Sequence, residues 1–278
     1  MENKKQEPDW DRSNNVESVP SFEEFRIFKK KIASLINLDL NSYKNIQMER
    51  RIVSLMNQNN IANLANYYDL LKKFPNQLNA FINMLTINVT EFFRNPVTFI
   101  ELEKVFIPEL LQKNTRLKIW SSGCSIGAEI YSIAMMFDKL GILDKCELVA
   151  SDFDKNVINK AKLGIYSKLE IGNLPPEYMN YFQEIDTNTE KFQIAPKLTS
   201  KITFQYQDLL DSEFESDFNL ILCRNVVIYF TEEAKDRLYQ KFYNSLKTGG
   251  ILFVGSTDWI NNHKDLGFNI RSSFFYQK

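Results

Sequence analysis

Asp152 closes the apolar run Cys146-Glu147-Leu148-Val149-Ala150-Ser151. An acidic residue at the carboxyl end of a second strand is where nucleotide-type sheets hold ribose hydroxyls. Upstream, Ser121-Ser122-Gly123-Cys124-Ser125-Ile126-Gly127 follows another strand-length apolar run. Small residues there let backbone N–H groups approach a ligand, because no Cβ stands in the way. Arg94 sits directly behind Phe92 and Phe93, with Asn88 and Thr90 before them, a composition that suits a site loop better than a helix interior. The alternatives are an ordinary βα turn for the first glycine segment and a linker with buried aromatics for the second. His263 is the only histidine. Hydrolases built on a His base and zinc sites built on His ligands are therefore poor readings. Cys124, Cys146 and Cys223 lie far apart without metal-ligand spacing. They read as free thiols of a reducing cytosol, and no metal site is expected.

The elements that position these residues form an alternating pattern. Leu117–Trp120 has strand composition, and Ile130, Ile133, Ala134 and Phe137 then fall at helical spacing. A second strand precedes Asp152, a helix covers Lys155 to about Leu163, and strands follow at Ile202–Tyr206 and Phe218–Cys223. Thr231 caps a helix with Glu232 and Glu233 in its first turn, which is expected to stop at Gly249-Gly250. Ile251–Val254 is a further strand, and Ser272–Tyr276 is expected as an edge strand. Strands alternating with helices from residue 117 onward predict a parallel, doubly wound α/β sheet. The segment from about 164 to 200 is less regular and has room for a small excursion from that sheet.

Before residue 86 the pattern is helical. Residues 1 to about 20 are polar and aperiodic, and are expected to be a disordered lead-in. Ser21 and Glu24 form a capping-box signature ahead of Phe25, Phe28, Ile32, Leu35 and Ile36 on one face. Between Ser21 and Pro75, nine lysines and arginines face five acids, in a chain whose net charge is only −1. Arg50 and Arg51 are adjacent in this stretch. A solvated face explains any one of them, whereas the segment as a whole favours docking onto something acidic. The whole-chain charge gives no case for nucleic acid. No signal peptide or bilayer-length apolar run is apparent.

Neither G-x-G-x-x-G nor a P-loop lysine is present, so phosphates find no cradle here. A ligand with ribose and adenine but no phosphate fits better, and S-adenosylmethionine is such a ligand. The runs TINVTEFFRNPVTF (86–99), WSSGCSIGAEIYSIAM (120–135), ASDFDKNVINKAKLGIYS (150–167), NLPPEYMNYF (173–182), FNLILCRNVVIYF (218–230) and GGILFVGS (249–256) are together similar to the CheR-type chemotaxis receptor methyltransferases. The resemblance covers about Ser21 to the C-terminus.

It implies methyl transfer from S-adenosylmethionine to glutamates of chemoreceptors; a cytoplasmic monomer is expected. The implied fold is a Rossmann-like methyltransferase domain (117–278) behind a small all-helical N-terminal domain (21–85) and a linker (86–116). A small β-subdomain is inserted at about 164–200. Cofactor contacts are implied for Asn88, Thr90, Arg94, Glu129, Asp152, Asp208, Leu209, Arg224 and Asn225, and Tyr229 is implied close to the transferred methyl. The family's G-E-E-P-Y-S stands here with Ala128 and Ile130 in place of Glu and Pro, and its G-H-S-E reads Gly255-Ser256-Thr257-Asp258. The alternatives are a methyltransferase on another protein or small acid, and a catalytically silent S-adenosylmethionine-binding module. A glutamate carboxylate, with a reference pKa near 4.3, is already a nucleophile at neutral pH, so the implied chemistry needs no base. It needs orientation, and the Arg94 guanidinium suits a carboxylate held in a bidentate fork.

Overall fold

The computed structural model describes residues 20–36, 38–86 and 90–278. The expected lead-in and Asn88 lie outside them. The described residues divide into two compact units, one drawn from 20–41 and 45–85, the other from 42–44 and 86–278.

The first unit holds α1 (Phe22–Ile36), α2 (Asn45–Gln58), α3 (Leu64–Lys73) and α4 (Pro75–Thr86). The capping box forms: the Ser21 N–H and hydroxyl both donate to Glu24 Oε2, and the Glu24 N–H donates to Ser21 Oγ. Phe25, Phe28, Ile32 and Ile36 are buried, and Phe28 meets the rings of Tyr67 and Phe81.

The second unit begins with α5 (Pro96–Glu101), a π-helical turn (Leu102–Phe106) and α6 (Ile107–Lys113). Then come β1 (Leu117–Ser122), α7 (Ala128–Lys139), β2 (Cys146–Asp152) and α8 (Lys155–Leu163). The irregular stretch contains β3 (Ile165–Ser167), α9 (Lys168–Ile171), β4 (Phe182–Asp186), β5 (Lys191–Ile194) and α10 (Pro196–Thr199). Last are β6 (Ile202–Tyr206), β7 (Phe218–Cys223), α11 (Glu232–Ser245), β8 (Leu246–Val254), β9 (Asn269–Ser272) and β10 (Phe275–Gln277).

The main sheet runs β6-β2-β1-β7-β8-β10-β9, and β3-β5-β4 form a separate antiparallel sheet, the insertion. From β6 to β8 the strands are parallel. The chain leaves β1 toward β2 and β6, then returns to lay β7 on the other side of β1. Such a reversal opens a crevice at the carboxyl ends of the strands, where this class of sheet takes its ligands. Side chains alternate across the sheet: Ile119 and Leu222 enter one core, Trp120 and Ile221 the other. Trp120 packs on Phe214, Phe218 and Phe242 at 4.7, 5.3 and 5.4 Å, and its Nε1 donates to Ser151 Oγ.

Two expectations need correction. The helix capped by Thr231 ends at Ser245, and Gly249-Gly250 lie inside β8 rather than stopping the helix. They serve an irregularity in the β7–β8 register, since a Cβ on Gly250 would come within 3.0 Å of the Phe218 carbonyl oxygen. The run Ser272–Tyr276 is not one edge strand: it straddles a turn between β9 and β10, and β10 pairs on both sides. The sheet is accordingly mixed, with an antiparallel margin beyond its five parallel strands.

Phe242 is fully buried and packs against both Trp120 and Phe214. Phe242→Ala is expected to cost about 3–5 kcal/mol, the range for truncating a packed aromatic. Urea unfolding checks this, and a loss below about 1 kcal/mol would contradict the packing described.

Candidate functional site

The carboxyl edge gathers most of the residues singled out in the sequence. The turn after β1 is fastened to the end of β2. The N–H groups of Gly123 and Cys124 donate to the Ser151 carbonyl at 2.8 and 2.9 Å, and that of Ser125 donates to Asp152 Oδ2 at 2.8 Å. These N–H groups therefore serve the fold rather than standing open to a ligand, which corrects the sequence expectation. The glycine has another use: Gly123 takes a φ of +72°, and a Cβ there would lie 2.4 Å from Val226 Cγ2, in the loop after β7. Asp152 is buried, and its Oδ1 also accepts from the Asp154 N–H. Burial raises its carboxyl pKa, and the backbone donors oppose that shift.

Glu129, in the first turn of α7, accepts from Ser121 Oγ at 2.7 Å and pairs with Arg224 Nη1 at 3.4 Å. Arg224 Nη2 donates to the Arg94 carbonyl at 2.7 Å, and the guanidinium lies over Phe253 and Phe99 at 4.6 and 5.3 Å. Burial raises the Glu129 carboxyl and lowers the Arg224 guanidinium, and each opposes the shift of the other. The Arg94 charge bears on both. The site loop is therefore tied to the sheet edge by its backbone. Its rings hold it from the other side. Phe92 meets Tyr166 and Phe182 at 5.0 and 5.4 Å, Phe93 stacks on Tyr178 at 4.3 Å, and the Phe93 N–H donates to Ser132 Oγ. Phe93, Asn95, Ser125 and Asn225 all have positive φ. Non-glycine residues in this region store strain and concentrate at functional sites.

Asp208, Leu209 and Tyr229 follow β6 and β7 along the same edge. Thr90 is half-buried ahead of the aromatic pair. Asp208, after β6, turns its Oδ1 to the Leu210 N–H, and burial raises its pKa. Leu209 is buried in the core beside it. Tyr229 ends a 3-10 turn, Val227–Tyr229, and its carbonyl accepts from the Lys44 N–H. Asn88 lies outside the described residues. Of the family departures, Ala128 and Ile130 are buried, while Ser256 and Thr257 are exposed.

Asp258 is the residue whose part the sequence did not disclose. Only 2% exposed, it accepts at Oδ2 from the N–H groups of Asn225 (2.6 Å) and Gly255 (3.2 Å). A Cβ on Gly255 would meet that oxygen at 2.5 Å. The available signal was an aspartate three residues beyond a glycine at the end of a buried strand. Among the described residues, seven buried side-chain atoms lack a hydrogen-bond partner: Asn57 Oδ1 on α2, Ser272 Oγ on β9, and the five of Ser125 Oγ, Gln207 Oε1, Arg224 Nε, Asn225 Oδ1 and Asp258 Oδ1. These last five stand just beyond the carboxyl ends of β1, β6, β7 and β8, where unsatisfied polar groups call for a ligand or water.

The description "CheR methyltransferase, SAM binding domain" matches residues 88–274, and "CheR methyltransferase, all-alpha domain" matches residues 23–86. The chain is 36% identical over 264 residues to a chemotaxis protein methyltransferase of Listeria monocytogenes, covering 94% of this chain and 99% of that one. It is 32% identical over 272 residues to the chemotaxis protein methyltransferase of Borreliella burgdorferi, with 89% and 94% covered. It is also 32% identical over 258 residues to chemotaxis protein methyltransferase 1 of Pseudomonas aeruginosa, with 88% and 92% covered. With both parts of the family matched in order and relatives aligned along nearly their full length, the chain belongs to the CheR methyltransferases, enzymes that depend on S-adenosylmethionine.

Proposed function

We propose that this methyltransferase converts glutamate side chains of bacterial chemoreceptors to methyl esters, with S-adenosylhomocysteine as the second product. The observation that carries the reading is the convergence on one strand edge of Asp152, the buried Glu129–Arg224 pair and the loop bearing Arg94. The orphaned oxygens of Ser125, Gln207, Asn225 and Asp258 suit a ligand rich in hydroxyl and amino donors, which S-adenosylmethionine is. When bound, it supplies a methyl group on a positively charged sulfur.

The chain's own residues then have an orientation task. Asp152 accepts from ribose hydroxyls, and Thr90, Glu129, Asp208, Leu209, Arg224 and Asn225 line the rest of the cofactor site, with Asn88 assigned to it by motif alone. Arg94 holds the acceptor carboxylate by its planar guanidinium, and Tyr229 borders the place of transfer. A carboxylate ionised at neutral pH gives up no proton in the reaction, so no residue serves as base. The acceptor surface is acidic and meets the basic N-terminal helices. Arg50 is exposed, and Arg51 is half-buried with its Nη1 on the Met84 carbonyl. Among the described residues no helix is long and apolar enough to cross a membrane.

Reversing charge at Arg50 and Arg51 together is expected to slow methylation at low receptor concentration while leaving cofactor affinity unchanged, and added salt is expected to slow the wild type. Initial rates over a receptor titration check this, with the thermal midpoint as a control for folding. Unchanged receptor kinetics would return both arginines to a solvated face.

Arg94→Ala is expected to lower the single-turnover rate by roughly a hundredfold or more, and Arg94→Lys to recover only part of it, because an ammonium lacks the fork. Between about pH 7 and 9 the wild-type rate is expected to be flat, since the nucleophile is already ionised there. Any loss falls on the acid side. Glu129 and Asp152 carry raised carboxyl pKa values, and protonating Glu129 dissolves its pair with Arg224. A rate that climbs through an apparent pKa near 7, or full activity in Arg94→Ala, would sink this mechanism.

A further inference from the structure

Tyr166 belongs to the inserted sheet, on the short strand β3, and is 1% exposed. Its hydroxyl leaves that sheet altogether and donates to the Ile126 carbonyl at 2.7 Å, in the turn between β1 and α7. Its ring stands edge-on to Phe92 at 5.0 Å, two residues before Arg94. Phe182, on β4, closes the same cluster at 5.4 Å from Phe92 and 6.1 Å from Tyr166. One side chain thus joins three segments distant in sequence: the turn that is fastened to Asp152, the loop that presents Arg94, and the insertion.

The two contacts differ in kind. The hydroxyl is the side-chain donor to the Ile126 carbonyl, next to Ser125, whose positive φ and N–H bond to Asp152 set the shape of the turn. A buried carbonyl deprived of its donor is costly, so the turn relaxes when the hydroxyl is removed. The ring contact fixes no hydrogen bond; it limits where Phe92 and the backbone behind it can go.

We propose that Tyr166 is a positioning residue of the methyl-transfer site. Its hydroxyl holds the cofactor turn through Ile126, its ring holds the Arg94 loop through Phe92, and the inserted sheet is thereby part of the catalytic framework. The loop half rests on the reading of Arg94 given above, whereas the turn half needs only cofactor binding.

The test compares Tyr166→Phe with Tyr181→Phe. Tyr181 also loses a hydroxyl bond, to Asp138 at 2.7 Å, but that bond is made at the end of α7 opposite the turn. Calorimetric titration with S-adenosylhomocysteine is expected to show a Kd raised about fivefold or more in Tyr166→Phe and unchanged in Tyr181→Phe, at similar cost in thermal midpoint. Hydrogen exchange over residues 121–131 is expected to accelerate in the first variant only. A folded Tyr166→Phe with Kd within twofold of wild type overturns the turn half. The binding readout requires no acceptor, so it stands apart from any failure of receptor methylation. In a second arm, Phe92→Leu keeps the hydroxyl and removes the ring that Tyr166 steadies. It is expected to lower the single-turnover rate at saturating cofactor about tenfold or more with Kd changed less than threefold, and a wild-type rate overturns the loop half.

Discussion

The guanidinium of Arg224 is the interaction on which the site depends. It is buried, so its charge must be answered within the protein, and Glu129 and the Arg94 carbonyl answer it. Removing one partner of such a pair strands the other charge, at a cost of about 3–5 kcal/mol. The pair can form only because β7 returns to lie beside β1, which brings Arg224 at the end of one strand to the helix that follows the other. The guanidinium also lies against the rings of Phe99 and Phe253, which meet edge to face. Three separate segments are thus committed to one geometry, with left-handed backbone at Phe93, Asn95, Ser125 and Asn225 around it.

A second tier of contacts keeps that geometry from relaxing. Asp258 grips the Asn225 N–H from the end of β8, and the β1–α7 turn grips Asp152 and Ser151. The aromatic residues of the insertion press on Phe92 and Phe93 from outside the main sheet. A reaction that needs alignment rather than proton transfer gains most from such rigidity, because misplacement by a fraction of an ångström is what slows it.

Much of this was legible in the sequence, for local reasons. The Ser21–Glu24 box, the Thr231 cap and the β1–turn–α7 unit are decided by neighbours three or four residues apart, and all three formed. The place of Asp152 at the end of β2 was legible because it closes a largely apolar run. What was missed depends on pairing across the chain. Gly249-Gly250 looked like a helix stop until the offset between β7 and β8 required them inside a strand. The N–H groups of the glycine turn looked available until β2 lay down beside them. Asp258 and Tyr166 act on residues 33 and 40 positions away, and no spacing rule reaches that far.

The account stands or falls on what receives the methyl group. Incubating the full chain with S-adenosylmethionine tritiated in its methyl group and cytoplasmic fragments of chemoreceptors, then treating the fragments with base, reads this directly. The expected result is label on the fragments that is released by base as volatile methanol, traced by mass spectrometry to glutamate methyl esters. Label that survives base treatment, or tight cofactor binding with no label transferred, would contradict it.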